Sequence, residues 1–220
     1  MNFISALRES LNAILDTILP RRARSMRTQM RAMEDIPVSP ASREMQGVRI
    51  TTLMDYQEPA VEDAIRSLKY DGSMHAAGLC AEVLADFLRE EIAAARAFSA
   101  REILLVPVPL HASRKRERGF NQIEVVLNKL PREFRDGKLA TLAPDALART
   151  RATVQQTKLS RSERLKNVAG AFQITDESLV RNAHIFLIDD VVTTGATLAN
   201  AGKPLEALGA TVTYLALARA

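Results

Sequence analysis

The sequence predicts an α/β domain: a parallel sheet with helices covering both faces. Three observations carry this expectation. Short, continuous apolar runs (EILLVPVP at 102–109, HIFLIDD at 184–190, TVTYLALA at 211–218) alternate with segments of helical periodicity, the pattern of strands buried on both sides. Apolar residues make up 47% and charged residues 25% of 220 residues, enough for one large packed domain. Aromatics are only 5% and tryptophan is absent, so the core must be built from Ala, Leu, Val and Ile.

Taken in order, residues 1–18 place Ile4, Leu7, Leu11, Ile14, Leu15 and Ile18 at three- and four-residue intervals, an amphipathic helix ending near Pro20. Arg8, Glu9 and Asp16 interrupt the apolar face, which argues against a secretory signal, and no run approaches a membrane span. A helix packed on the main domain is the plainer reading. A membrane-surface or partner helix, aided by Arg21, Arg22, Arg24, Arg27 and Arg31, is the alternative. The expectation is a soluble, cytoplasmic protein without stable membrane insertion.

Residues 20–47 mix Arg, Met, Ser and Pro without periodicity and read as a basic linker, so the predicted division is 1–47 and 48–220. From Val48, VRITTLMDY reads as a strand, Glu58–Tyr70 as a helix, Asp71-Gly72 as a turn and Met74–Ala97 as a longer helix. Cys80, the single cysteine, lies in that helix as a small buried hydrophobe. Alone it excludes an internal disulfide framework and a thiolate-rich zinc site. After the strand at 102–109 come a basic loop to Arg118 and a helix Asn121–Leu130, with Asn121 as its cap and Phe120 anchored in the core. A helix is expected over Ser160–Ala169 and another over Thr197–Leu208, closed by Gly209. Pro204 should bend or break the latter, because it cannot donate to the Asn200 carbonyl. His75 and His184 read as structural.

The net charge of +4 is mild, but residues 101–170 hold 15 Lys/Arg against 7 Asp/Glu, a surplus of 8. The chemistry concentrates at HIFLIDDVVTTGATL. An apolar strand delivers Asp189 and Asp190; a loop of small and hydroxyl residues follows, then a helix start. Thr193, Thr194 and Thr197 supply hydroxyls, Gly195 allows close backbone approach, and Ala196 opens the helix, whose N-terminal N–H groups favour an anion. That is a phosphate cradle. The carboxylates suit sugar hydroxyls or a hydrated Mg²⁺, so the pair describes a ribose phosphate. A Walker-type NTPase lacks its G-x-x-x-x-G-K-[ST] loop here, and no G-x-G-x-x-G supports a dinucleotide fold. The plainer alternative is a strand–turn–helix with exposed acids and a threonine cap.

The Asp-Asp pair followed by Val-Val-Thr-Thr-Gly-Ala-Thr resembles the signature of type I phosphoribosyltransferases. VPVPLHASRKRERGFNQ (106–122), RATVQQTKLSRSERLKNVAGAF (151–172) and YQEPAVEDAIRSLKYDG (56–72) narrow the resemblance to the ComF branch. It implies a type I phosphoribosyltransferase-like fold. It also implies an enzyme that binds Mg²⁺·5-phosphoribosyl-1-diphosphate and passes the phosphoribosyl group to an acceptor the sequence does not declare. In that reading Asp189 and Asp190 are catalytic and hold the ribose hydroxyls or Mg²⁺, and residues 193–197 hold the 5-phosphate. Arg114, Lys115, Arg118, Arg151 and Lys158 face the diphosphate, with His111 near that loop. Arg151, Thr153, Gln156, Arg164 and Asn167 would belong to a mobile cover. Single-stranded DNA and a second copy of the chain are the other candidate partners. DNA would be held by Arg21–Arg31 and Arg114–Arg118, although aromatic stacking platforms are scarce. ComF proteins usually carry a four-cysteine zinc module near the N-terminus. Here its first Cys-x-x-Cys falls at Ala23 and Met26, so residues 1–47 read as a zinc-free remnant.

Overall fold

The computed structural model describes residues 21–110, 112–150 and 170–220. A six-stranded sheet runs β1(Ala41–Met45), β2(Val48–Asp55), β8(Thr211–Arg219), β7(His184–Val192), β3(Ile103–Pro107), β4(Thr141–Leu142) in spatial order. All neighbouring pairs are parallel except β1, which returns antiparallel along β2 at the edge. A two-stranded antiparallel ribbon, β5(Leu147–Arg149) with β6(Phe172–Ile174), sits beside it. The helices are α1(Arg21–Gln29), α2(Pro59–Asp71), α3(Met74–Phe98), α4(Ala112–Arg118), α5(Gln122–Lys129), α6(Glu177–Val180) and α7(Ala196–Ala207).

The two-residue period of the strands divides the interior into two cores. Leu105, Phe186, Ile188, Leu215 and Leu217 face α2, α3 and α5, whereas Leu104, Val106, Ile185, Leu187 and Ala216 face α7 and the β5–β6 ribbon. Helices therefore cover both faces, as the α/β expectation requires, and the fold is phosphoribosyltransferase-like.

Local chemistry sets the helix ends. Pro59 opens α2, and Gly72, at φ 61°, ends it in the left-handed conformation. Ser73 caps α3 by accepting from Ala76 N–H. Asn121 does the same for α5 while its amide donates to the Val108 carbonyl, which ties that helix to the end of β3. Phe120 is only partly buried and packs over Gly72 rather than deep in the core. Cys80 is buried as expected, and desolvation pushes its thiol up to about 12.

Three expectations change. The stretch 20–47 carries secondary structure from Arg21 onward: α1, a 3₁₀ turn (Met33–Asp35) and β1. Its α1 has no apolar periodicity because its buried face is polar. Arg24 reaches Asp71 (3.0 Å), Thr28 meets Ser67 (3.1 Å), and Arg27 (2.8 Å) and Arg31 (3.1 Å) both reach Asp63. Of the basic run expected to meet phosphates, Arg24, Arg27 and Arg31 are thus paired with acids, Arg27 staying 56% exposed. The basic loop after β3 contains α4. Finally, α7 runs unbroken through Pro204, as Leu198, Ala201 and Leu205 keep it seated on the sheet despite one missing N–H. Its other packing device is Gly202. A Cβ there would fall 2.0 Å from the Tyr214 hydroxyl, which donates to Glu206 at 2.6 Å.

His75 and His184 prove structural. His75 bonds the Arg31 carbonyl (2.9 Å), and His184 pairs with Thr213 (2.9 Å) and stacks on Phe186. The segment holding Arg151, Lys158 and the expected 160–169 helix lies outside the described residues, as do His111 and the 1–18 helix. No helix among the described residues is long and apolar enough to cross a membrane.

Candidate functional site

Neighbouring strands β3 and β7 send their chains away on opposite faces, β3 through α5 and β7 through α7. Such a divergence opens a crevice at the C-terminal ends of an α/β sheet, the place where these folds bind ligands. Strand β3 ends at Pro107, opposite Ile188, and β7 continues for four more residues. Asp189 and Asp190 therefore project beyond the β3 end, at the floor of that crevice. The two strands are adjacent and parallel, as the expected fold requires.

Beyond Val192 the chain bends through Thr193 and Thr194 to Gly195, which has φ 76° and precedes α7. Two independent constraints demand glycine there. The positive φ is one. The other is packing: a Cβ would lie 2.7 Å from Met45 Cβ and 2.9 Å from Ile50 Cδ1. The edge hairpin β1–β2 thus backs the loop. On its open side the first N–H groups of α7 have no acceptor four residues earlier, and Thr193 is exposed. Thr194 Oγ1 turns back toward Ala196 N–H at 3.5 Å. The cradle is small, lined by Asp189 and residues 191–198, and its exposed lining is mostly polar.

The two carboxylates sit in different surroundings. Asp190 Oδ1 receives Lys69 Nζ (3.0 Å) and Val191 N–H (2.6 Å), and its Oδ2 receives Gln122 Nε2 (3.0 Å). Asp189 receives the Asp190 N–H at 2.8 Å. Desolvation and the neighbouring Asp190 charge push the Asp189 carboxyl up to about 7, against the pull of that N–H, Lys69 and Arg149. A strained acid in a cleft is a common mark of a functional site.

The basic residues fan out from this point. Burial, and then Arg114, press on the Arg149 guanidinium and lower its pKa, while Asp189 acts the other way, so these three charges share one end of the sheet. Lys115 reaches Glu124 (3.7 Å), and Arg118 covers the Tyr70 ring at 5.7 Å, as does Arg24. Sequence reasoning missed three neighbours of the acidic pair, Lys69, Gln122 and Arg149. Lys69 lies within the quoted Tyr56–Gly72 segment but looked like an ordinary helix-end lysine. Arg149 stands two residues before the segment read as the cover, stacked over Phe172 at 5.2 Å.

No family model matches the chain. Among characterised proteins, the DNA utilization protein YhgH of Escherichia coli (strain K12) is 33% identical over 164 residues, which covers 74% of this chain and 67% of that protein. The chain belongs to the ComF family. Two further ComF relatives agree. The competence protein ComFC of Streptococcus pneumoniae is 31% identical over 164 residues, or 74% of this chain and 64% of that protein. The competence protein F of Haemophilus influenzae is 32% identical over 106 residues, or 48% of this chain and 44% of that protein.

Proposed function

We propose that this ComF protein binds Mg²⁺·5-phosphoribosyl-1-diphosphate and acts as a phosphoribosyltransferase with a role in DNA utilization or competence. The observation that carries this reading is the joining of a glycine-dependent anion cradle to an acidic pair at the β3–β7 crevice. Backbone N–H groups of the 193–197 loop would hold the 5-phosphate. Asp189 and Asp190 would accept from the ribose hydroxyls, fixing the sugar so that C1 faces the crevice. Transfer would break the C1–O bond to diphosphate and form a bond from C1 to the acceptor. Carboxylates beneath the ring favour the positive character that develops there. Arg114, with Lys115, would take up charge on the departing diphosphate, and Arg118, Arg151 and Lys158 are assigned to the same end.

Asp190 already accepts from Lys69, Gln122 and Val191, which leaves it poorly suited to direct metal coordination. The donor set fits a hydrated Mg²⁺ carried by the diphosphate and met through water by Asp189. Such an ion would screen the phosphate charge. A thermal-shift titration tests the reading: at 100-fold excess over Kd, ligand binding adds about 2.7 kcal/mol of stability. A Mg²⁺-dependent shift that vanishes in Asp189→Asn/Asp190→Asn supports it; an absent shift, or one that persists in the variant, overturns it.

A second reading, single-stranded DNA binding without turnover, draws on Tyr70. Tyr70 is 51% exposed, and the Arg118 and Arg24 guanidinium groups over its ring, beside the basic α4, would offer planar cationic surfaces to a base and its phosphate. It predicts affinity that falls steeply between about 50 and 200 mM salt and weakens in Tyr70→Ala.

A further inference from the structure

Three donors from three parts of the chain converge on the Asp190 carboxylate: Lys69 Nζ from the last turn of α2, Gln122 Nε2 from the first turn of α5, and the Val191 backbone. Lys69 and Asp190 are 17% and 15% exposed, and Gln122 is 1% exposed, so none is a loosely solvated surface pair. The Gln122 Oε1 atom is buried with no hydrogen-bond partner among the described residues. A polar side chain accepts that cost where its other end has a position to hold. A carboxylate offers about four acceptor positions, so three fixed donors stop its rotation and leave one position for a hydroxyl. Lys69 also brings the positive charge that two adjacent carboxylates need, at the place a directly bound metal ion would otherwise take.

We propose that Lys69, seconded by Gln122, is a positioning residue that holds Asp190 for recognition of the sugar diol independently of Mg²⁺. The inference rests on the ribose-phosphate reading above, extended to a residue that touches no ligand. It treats the α2–α3 turn, remote in sequence from the acidic pair, as part of the sugar-recognition apparatus.

The test compares inorganic phosphate, ribose 5-phosphate and 2-deoxyribose 5-phosphate by calorimetric titration of the full chain in EDTA. Wild-type protein is expected to prefer ribose over 2-deoxyribose 5-phosphate by about tenfold, the scale of one hydrogen bond to a charged group. In Lys69→Met the preference should fall to about twofold with phosphate affinity unchanged, and Lys69→Arg should restore most of it. Lys69→Gln, whose amide ends one atom short of the Lys69 Nζ position, removes the contact and the charge together and gives the same comparison if Lys69→Met does not fold. A retained tenfold preference in Lys69→Met or Lys69→Gln overturns the proposal. So does an equal loss for all three ligands, which marks a merely structural ion pair. Wild-type protein that binds phosphate without sugar preference removes the diol reading and this inference with it. Wild-type protein that binds none of the three removes the parent reading.

Discussion

Two regions of the molecule bury charge in opposite ways. Along the α1–α2 contact, three arginines meet two aspartates. Arg24 meets Asp71, Arg27 and Arg31 meet Asp63, and Thr28 and Ser67 pair between them. Burial alone would raise the Asp63 carboxyl, but its two arginine partners outweigh it, and its pKa lies below the usual carboxylate range. At the β3–β7 crevice two carboxylates share adjacent positions on one strand, Lys69 satisfies one, and the other is driven upward. The first arrangement resolves its electrostatics inside the protein and holds a helix. The second leaves a residue of unfavourable energy that an incoming ligand can relieve, which is how binding sites differ from scaffolding.

At the acidic pair of the crevice the effect is on ligand affinity. Asp190→Asn is expected to weaken phosphoribosyl-diphosphate binding by about 1.5–3 kcal/mol, or ten- to a hundredfold, because a hydrogen bond to a charged acceptor is lost. Asp189→Asn should weaken binding similarly yet raise the melting temperature, since it removes a crowded, desolvated charge. A drop in melting temperature would mean that Asp189 is scaffolding and that the contrast between the regions is wrong.

The Gly195 loop beside the acidic pair carries the larger cost in stability. Gly195→Ala combines a left-handed backbone with a contact 2.7 Å from Met45, so a loss of about 2–4 kcal/mol in denaturant unfolding is expected, with loss of phosphate binding. Gly195→Ala/Ile50→Val removes the Ile50 Cδ1 atom 2.9 Å away but not the Met45 Cβ, so it should recover only a fraction of the steric part and none of the backbone part.

The matched region should respond more modestly and with the opposite pH signature. Asp63→Asn should cost about 1–3 kcal/mol at neutral pH by leaving Arg27 and Arg31 without their acid. Because the folded pKa of Asp63 is depressed, its stabilisation is present above the unfolded carboxylate value and is lost as pH falls through the lower folded value. The difference between wild type and variant in urea unfolding should therefore be constant near neutrality and close in acid. A difference that grew on acidification would refute the assignment. The smallest effect concerns Cys80: its buried thiol should resist alkylation in the native protein and react only on unfolding.

Much of the site was legible because its residues are contiguous. Asp189 to Thr197 lie on one strand–loop–helix segment, and apolar periodicity, hydroxyl spacing and one glycine announce such a unit without reference to the rest of the chain. Elements that bury an apolar face, such as α3, α5 and β7, were equally readable. The α1 helix was not, for its buried side is Arg, Thr and Arg, and only the acidic stripe Asp63, Ser67 and Asp71 on α2 makes that pattern meaningful. Pro204 misled for a related reason: a local rule about one hydrogen bond was outweighed by the packing of the whole helix face.

By itself, then, the sequence determined the α/β class, the family resemblance and the position of the acidic pair and its loop, all properties of segments short enough to carry their own periodicity. Only the tertiary structure decided that β1 supports Gly195, that Lys69 and Gln122 converge on Asp190, and that Arg24, Arg27 and Arg31 pair with Asp71 and Asp63. These contacts join residues from 32 to more than a hundred positions apart along the chain. The charge and volume of one partner carry no information about where folding will bring the other.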